Sequence, residues 1–232
     1  TSAGVLLPKA YLESISKAAH EVGAIFVLDC IASGCAWVDM KATGVDILIS
    51  APQKGWSSTP SAGVVMLSNR AIEVVENSNS NSFAIDLKKW FSIMKTYENG
   101  GHAYHTTMPT DSLTHFRDTM LETQEYGFDK LYKNQWELGN RVRDLLKSKN
   151  IKSVAADGFR APGVVVSYTS DENIHNGLKF KELGMQIAAG VPLMCDEPKS
   201  FQTFRIGLFG LDKLYNVDRT IDKLEKAFDS VL

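Results

Sequence analysis

Three short apolar runs constrain this chain more than any other feature. Ala24-Ile25-Phe26-Val27-Leu28 ends in Asp29. Val45-Asp46-Ile47-Leu48-Ile49 leads through Ser50-Ala51-Pro52-Gln53 to Lys54. Val64-Val65-Met66-Leu67 follows a loop rich in Gly, Ser, Thr and Pro. Each run is too short for a typical helix and nearly continuous, as in strands covered on both faces. Helical spacing of Tyr11, Leu12, Ile15, Ala18, Ala19 and Val22 precedes the first run, with Gly23 placed as a C-cap. A short helix is expected at 38–43, between the first and second runs. Helix alternating with unbroken strand predicts an α/β fold on a mainly parallel sheet with flanking helices.

The strands are expected at 24–28, 45–49 and 63–68, with a helix at 69–75. A polar Asn/Ser loop spans 77–85, a short helix 86–95 and an irregular stretch 97–109. Two long helices follow, at 112–125 and 128–149. Beyond Asn150 the texture changes. Strands are expected at 151–155, 164–168 and 204–208, with a turn at 161–163, a helix at 175–183 and a terminal helix at 217–232. This divides the chain into part of a large domain at 1–110, linking helices at 111–150 and a small C-terminal α+β domain at 151–232.

A composition of 44% hydrophobic and 22% charged residues is that of a globular protein. A net charge of −2 gives no basic field for nucleic acid or an anionic membrane. No apolar run approaches the ~18 residues of a membrane span. Cys30, Cys35 and Cys195 cannot all pair and show no CxxC spacing, so neither a disulfide framework nor a metal site is expected. A reducing cytoplasm fits these cysteines. The opening Thr1-Ser2-Ala3-Gly4-Val5 has no initiator Met, basic segment or cleavage signal. It reads as the middle of a longer polypeptide.

Ligands of open α/β sheets bind at the carboxyl ends of strands, where Asp29 and Lys54 stand. By position alone, Asp29 reads equally as an N-cap or turn residue, and Lys54 as a solvated surface lysine. Chemistry offers the alternative. A Schiff-base lysine sits in a partly desolvated pocket, and the pyridine nitrogen of pyridoxal phosphate needs a buried carboxylate to stay protonated. Gln53 could donate to a cofactor oxygen, or simply be a polar loop residue. Arg205, within the apolar Phe204-Arg205-Ile206-Gly207-Leu208, reads as a carboxylate clamp or as an outward-facing edge residue.

Five segments in order resemble the class V, fold type I pyridoxal-phosphate aminotransferases, in particular the alanine–glyoxylate and serine–pyruvate group. They are Thr1-Ser2-Ala3-Gly4-Val5, Leu28-Asp29-Cys30-Ile31-Ala32-Ser33, Asp46 to Lys54, Tyr104-His105-Thr106-Thr107-Met108-Pro109 and Arg205-Ile206-Gly207-Leu208-Phe209-Gly210. The resemblance implies pyridoxal 5′-phosphate as cofactor. It implies Lys54 as Schiff-base lysine and proton shuttle, and Asp29 as partner of the pyridinium nitrogen. Ile31 would pack on the ring face, and Thr1 and Gln53 would hydrogen-bond the cofactor. Tyr104 and Thr107 would reach the phosphate bound by the neighbouring subunit, making a homodimer with shared sites. Arg205 would bind the substrate carboxylate. Pro52 stands where the family has a small residue, and Gly63 lies farther past the lysine than the family's glycine, with Ser61 nearer that place. The family's Gly-rich phosphate turn and its ring-stacking aromatic are not among these residues.

The implied reaction moves an amino group from a small amino acid, of alanine or serine type, to a 2-oxo acid such as glyoxylate or pyruvate. Two rival readings remain. A cysteine desulfurase or lyase on the same scaffold would present His before the lysine, where this chain has Gln53, and a mobile nucleophile, for which Cys195 is the candidate. A cofactor-free fragment or structural subunit would leave an unpaired sheet edge and an exposed apolar face. His105, Trp56 and Trp90 read as packing residues.

Overall fold

A computed structural model describes all residues, 1–232. The chain opens with α1 (Lys9–Glu21), entered from Pro8 in extended conformation. Then come β1 (Val27–Asp29), α2 (Met40–Thr43), β2 (Ile47–Ser50), β3 (Val64–Leu67) and α3 (Asn69–Glu76). The short helices α2 and α3 each start on a side-chain cap. Asp39 accepts from the Ala42 amide and Ser68 from the Ala71 amide, satisfying donors that the first turn leaves free. Gly44 closes α2 in the left-handed conformation.

These strands form one sheet in the order β1-β2-β3. β1 and β2 are parallel, with Asp29 opposite Ile49. β3 returns antiparallel, with Val64 opposite Ser50. No helix in residues 51–63 carries the chain across the sheet, as a parallel connection normally requires. β1 and β3 are both edges, and Val27, Val65 and Met66 are exposed.

Helices α4 (Leu87–Glu98), α5 (Thr110–Tyr126) and α6 (Phe128–Ser148) follow. The second sheet consists of β4 (Val164–Tyr168), β5 (Ala188–Ala189) and β6 (Thr203–Gly207), with β6 central and antiparallel to both others. α7 (Glu172–His175) and α8 (Leu178–Glu182) lie between β4 and β5, and α9 (Leu211–Leu214) and α10 (Val217–Val231) close the chain.

Three expectations are corrected. Residues 151–155 do not form a strand; they make a single bridge, Ser153 to Ser167, beside β4. The helix expected at 175–183 is two short ones, divided at Gly177, whose positive φ ends one and precedes the other. Two further elements had no counterpart in the sequence reading: Ala188–Ala189 pairs as β5, and α9 adds a short turn of helix after the glycine at 210. Asp29 is the last residue of its strand, not the first beyond it.

The principal core joins Leu131, Leu138, Val142 and Leu146 of α6 to Val165, Phe204 and Ile206 of the second sheet and to Leu224 and Phe228 of α10. α6 and α10 present these residues at i, i+3 and i+4 spacing, giving each helix one apolar face. The chain's opening residues belong here too. Leu6 donates its amide to Phe159, and the Ala161 amide donates to Gly4.

Candidate active site

β1 and β2 run side by side in the same direction, so Asp29 and the segment leading to Lys54 leave the same end of the first sheet. The loops after them are locked together. A Cβ added to Gly55 would stand 2.5 Å from the Gly34 carbonyl oxygen, so only glycine permits this backbone contact. The second sheet closes on the same place. A Cβ at Gly163 would meet a ring carbon of Phe209 at 3.2 Å and the Ser33 carbonyl at 3.3 Å. The Lys54 Nζ lies 5.6 Å from the Phe209 ring centroid. Ser57, held at a positive φ of 59°, accepts a 2.7 Å hydrogen bond from the Leu211 amide.

Asp29 accepts a 2.9 Å hydrogen bond from the Ile31 amide through Oδ1. The buried carboxylate expected from the sequence is exposed, because β1 is an edge strand and no further strand covers its end. Ile31 is half-buried, Gln53 exposed and Lys54 half-buried. A cavity of about 500 Å³ has Thr1, Asp29, Cys30, Ser33 and Trp136 in its wall. Thus Thr1 and Asp29 share a cavity, whereas Gln53, Lys54 and Arg205 do not line it. Cys30 beside Asp29 has its thiol pKa raised, by burial first and by the Asp29 charge as a lesser cause.

Arg205 is half-buried in β6, opposite Val166. Its Nε donates to the Ala189 carbonyl at 2.7 Å. Tyr104 and Thr107 are brought together, their hydroxyl oxygens 3.0 Å apart on the exposed stretch before α5. His105 packs there, its ring against Phe83 and Trp90 and its Nε2 2.9 Å from the Phe83 carbonyl oxygen. Trp56 is buried beside Trp37, Phe116 and Phe128. Cys195 is exposed, and its amide is held by Glu197.

Two supporting residues were not singled out by sequence. Gln135 is fully buried on α6. Its Oε1 accepts from the Cys35 amide at 3.3 Å, and its Nε2 donates to Pro162 at 3.1 Å and Leu208 at 3.3 Å. It ties the loop after Asp29 to both ends of the second-sheet approach. The available signal was a polar residue on the apolar stripe Leu131, Gln135, Leu138. Asp46 is buried at the start of β2, 2.7 Å from His20 Nε2, and accepts from the Phe26 amide at 2.9 Å. Burial works against its charge, yet the Phe26 amide, then His20 and Ser68, hold its carboxyl below the usual value.

Residues 3–190 match the model of the family described as aminotransferase class-V. Cat alanine–glyoxylate aminotransferase is 24% identical over 98% of this chain and 55% of its own length. Alanine–glyoxylate aminotransferase 1 of Saccharomyces cerevisiae is 27% identical over 82% of this chain and 51% of its own. The chain thus spans about half the length of these curated relatives. The solved structure of alanine–glyoxylate aminotransferase from Nostoc sp. superposes with a TM-score of 0.76 at 20% identity, over 97% of this chain and 58% of that one. That likeness is one of fold: the α/β arrangement is fold type I. With the family pattern running through both Asp29 and Lys54, the chain belongs to the class V aminotransferases.

Proposed function

We propose that the protein containing this chain is a pyridoxal-phosphate-dependent aminotransferase acting on a small amino acid and a 2-oxo acid. The observation that carries this reading is the pair Asp29 and Lys54, at one end of two parallel strands whose following loops are in backbone contact. The residues present fit the cofactor chemically. Lys54 makes no ion pair, and Asp29 uses only Oδ1. In the loop beyond Lys54, the buried hydroxyls of Ser58 and Ser61 have no partner.

When bound, pyridoxal phosphate supplies an electron sink for charge developing at the substrate Cα. Lys54 would hold the cofactor covalently and, when free, would take the proton from the substrate Cα as general base and return it as acid. The Asp29 carboxylate would keep the ring nitrogen protonated. Ile31 would pack against the ring, and Thr1 and Gln53 would hydrogen-bond the cofactor. Arg205 receives the substrate carboxylate; its Nε is fixed on Ala189, and its terminal nitrogens make no hydrogen bond within the chain. Tyr104 and Thr107 serve the phosphate bound by a neighbouring subunit. A homodimer is supported by α4, which buries no residue, and by exposed Phe83, Ile85, Met94, Tyr97 and Tyr104 around it.

We further propose the division 1–110, 111–150 and 151–232, supported by the two separate sheets and the helices between them. Limited proteolysis that never cuts near these boundaries would argue against it. No helix is long and apolar enough to cross a membrane. All three cysteines are free, which supports a reducing cytoplasm; cell fractionation tests that placement.

The deciding experiment is borohydride reduction of the full-length protein with its cofactor, followed by intact-mass and peptide analysis. The expected result is one cofactor mass fixed on Lys54 and none in Lys54→Ala. Cofactor retained covalently by Lys54→Ala overturns the assignment. Sulfide release from cysteine in place of amino transfer would move the protein to the desulfurase reading.

A further inference from the structure

A second cavity of about 500 Å³ lies between the C-terminal turn of α6, the bridge at Ser153 and the end of β4, and Arg160 lines both it and the cavity that holds Thr1 and Asp29. Four cations line it, Arg143, Lys147, Lys152 and Arg160, against one carboxylate, Asp144. Four buried polar atoms in this lining have no hydrogen-bond partner: Nε of Arg143, Nε of Arg160, and the hydroxyls of Ser153 and Ser167. Buried donors without acceptors are costly and rare in a folded chain. Here four are gathered around one space.

The backbone explains why they converge. Ser153 and Ser167 face each other across an antiparallel bridge. The flanking hydrogen bonds run from the Val154 amide to Val166 and from the Tyr168 amide to Lys152. The serines are therefore the pair without mutual backbone bonds, whose side chains stand closest on one face. Arg143 is held by its terminal nitrogens, which donate to the carbonyls of Gly139, Ala161 and Val164 and leave Nε unused. Its terminal contacts are to neutral carbonyls and bring no negative charge. Burial, then the nearby Arg160 charge, lowers its pKa to about 10. Arg160 pairs with Asp157, but only through Nη2.

We propose that this cavity binds a small tetrahedral oxyanion of the phosphate class. Such an ion offers one oxygen for each of the two guanidinium N–H groups and two hydroxyls, where a carboxylate has only two oxygens to share among them. Its charge offsets the repulsion between Arg143 and Arg160, while Lys147 and Lys152 guard the rim. Arg143, Ser153 and Ser167 do not line the cavity that holds Thr1 and Asp29, and the proposal does not depend on the cofactor assignment.

The test is calorimetric titration of inorganic phosphate into the full-length protein, with pyridoxal phosphate in excess so that a cofactor phosphate cradle is filled. One saturable site per chain is expected, with sulfate competing and chloride at equal ionic strength not competing. Lys152→Glu and, separately, Ser153→Ala are each expected to weaken binding, the charge reversal by about tenfold or more. Ser153→Ala is the milder change and decides the matter if Lys152→Glu fails to fold. Absence of saturable binding, or binding unchanged by Ser153→Ala, overturns the proposal.

Discussion

Gly55 and Gly34 touch backbone to backbone: a Cβ on the first would fall 2.5 Å from the carbonyl oxygen of the second. This contact sets the spacing between the segments that carry Asp29 and Lys54. Gly55→Ala is expected to push the loops apart, at a cost of about 1–3 kcal/mol. Chemical denaturation reads the stability loss, and borohydride trapping reads the accompanying fall in cofactor attachment at Lys54. Unchanged trapping would show that the spacing is not set here.

Gln135 is expected to be among the most sensitive polar positions outside the site. Gln135→Ala removes one acceptor and one amide donor from the Cys35 amide and the Pro162 and Leu208 carbonyls, all in a buried setting. A loss of about 3 kcal/mol is expected. Gln135→Glu preserves the shape but not the donors, and a denaturant midpoint close to wild type in that variant would contradict the assigned hydrogen bonds.

Asp46 gives the fold a dependence on acidity. Its folded pKa lies below that of an ordinary aspartate, so its contribution to stability is complete above the ordinary value. The contribution fades as pH falls through the folded pKa. Asp46→Asn is expected to cost about 1–3 kcal/mol at neutral pH and to flatten the acid limb of a stability-against-pH curve. An acid limb as steep as wild type in Asp46→Asn would assign the dependence to other carboxylates.

The α4 surface is expected to close against a second copy. Met94→Glu places a charge in that exposed apolar group, where Met94 is 62% exposed. Sedimentation of the full-length protein is expected to show weaker dimerisation with the monomer fold retained. An unaltered dimer would move the interface to another face.

Much of the architecture was legible because its signals are local. The apolar runs at 24–28 and 45–49 overlap β1 and β2, each of which ends one residue later, and helical spacing located α5, α6 and α10 to within a few residues. Residues 151–155 misled because Ile151 and Val154 suit a strand, yet only Ser153 bridges to β4. At the site, Asp29 and Lys54 were visible as polar residues closing apolar runs. Gln135 and Phe209 were not, because their part is made only when α6 and the segment after β6 fold back on the loops 30–35 and 54–57. The exposure of Asp29 was hidden for the opposite reason: it reflects what does not lie beside β1, and that is a property of neighbours rather than of the strand.

The first sheet ends in β1 on one side and β3 on the other, each with a row of unpaired backbone groups. In the language of assembly it is divalent. A partner that pairs with β1 leaves β3 able to recruit another chain, and the reverse is equally true. Two edges of this kind allow open-ended addition, whereas a single edge would be finished by one encounter. Whether the cover comes from another segment of the same protein or from another chain, it has to serve both sides.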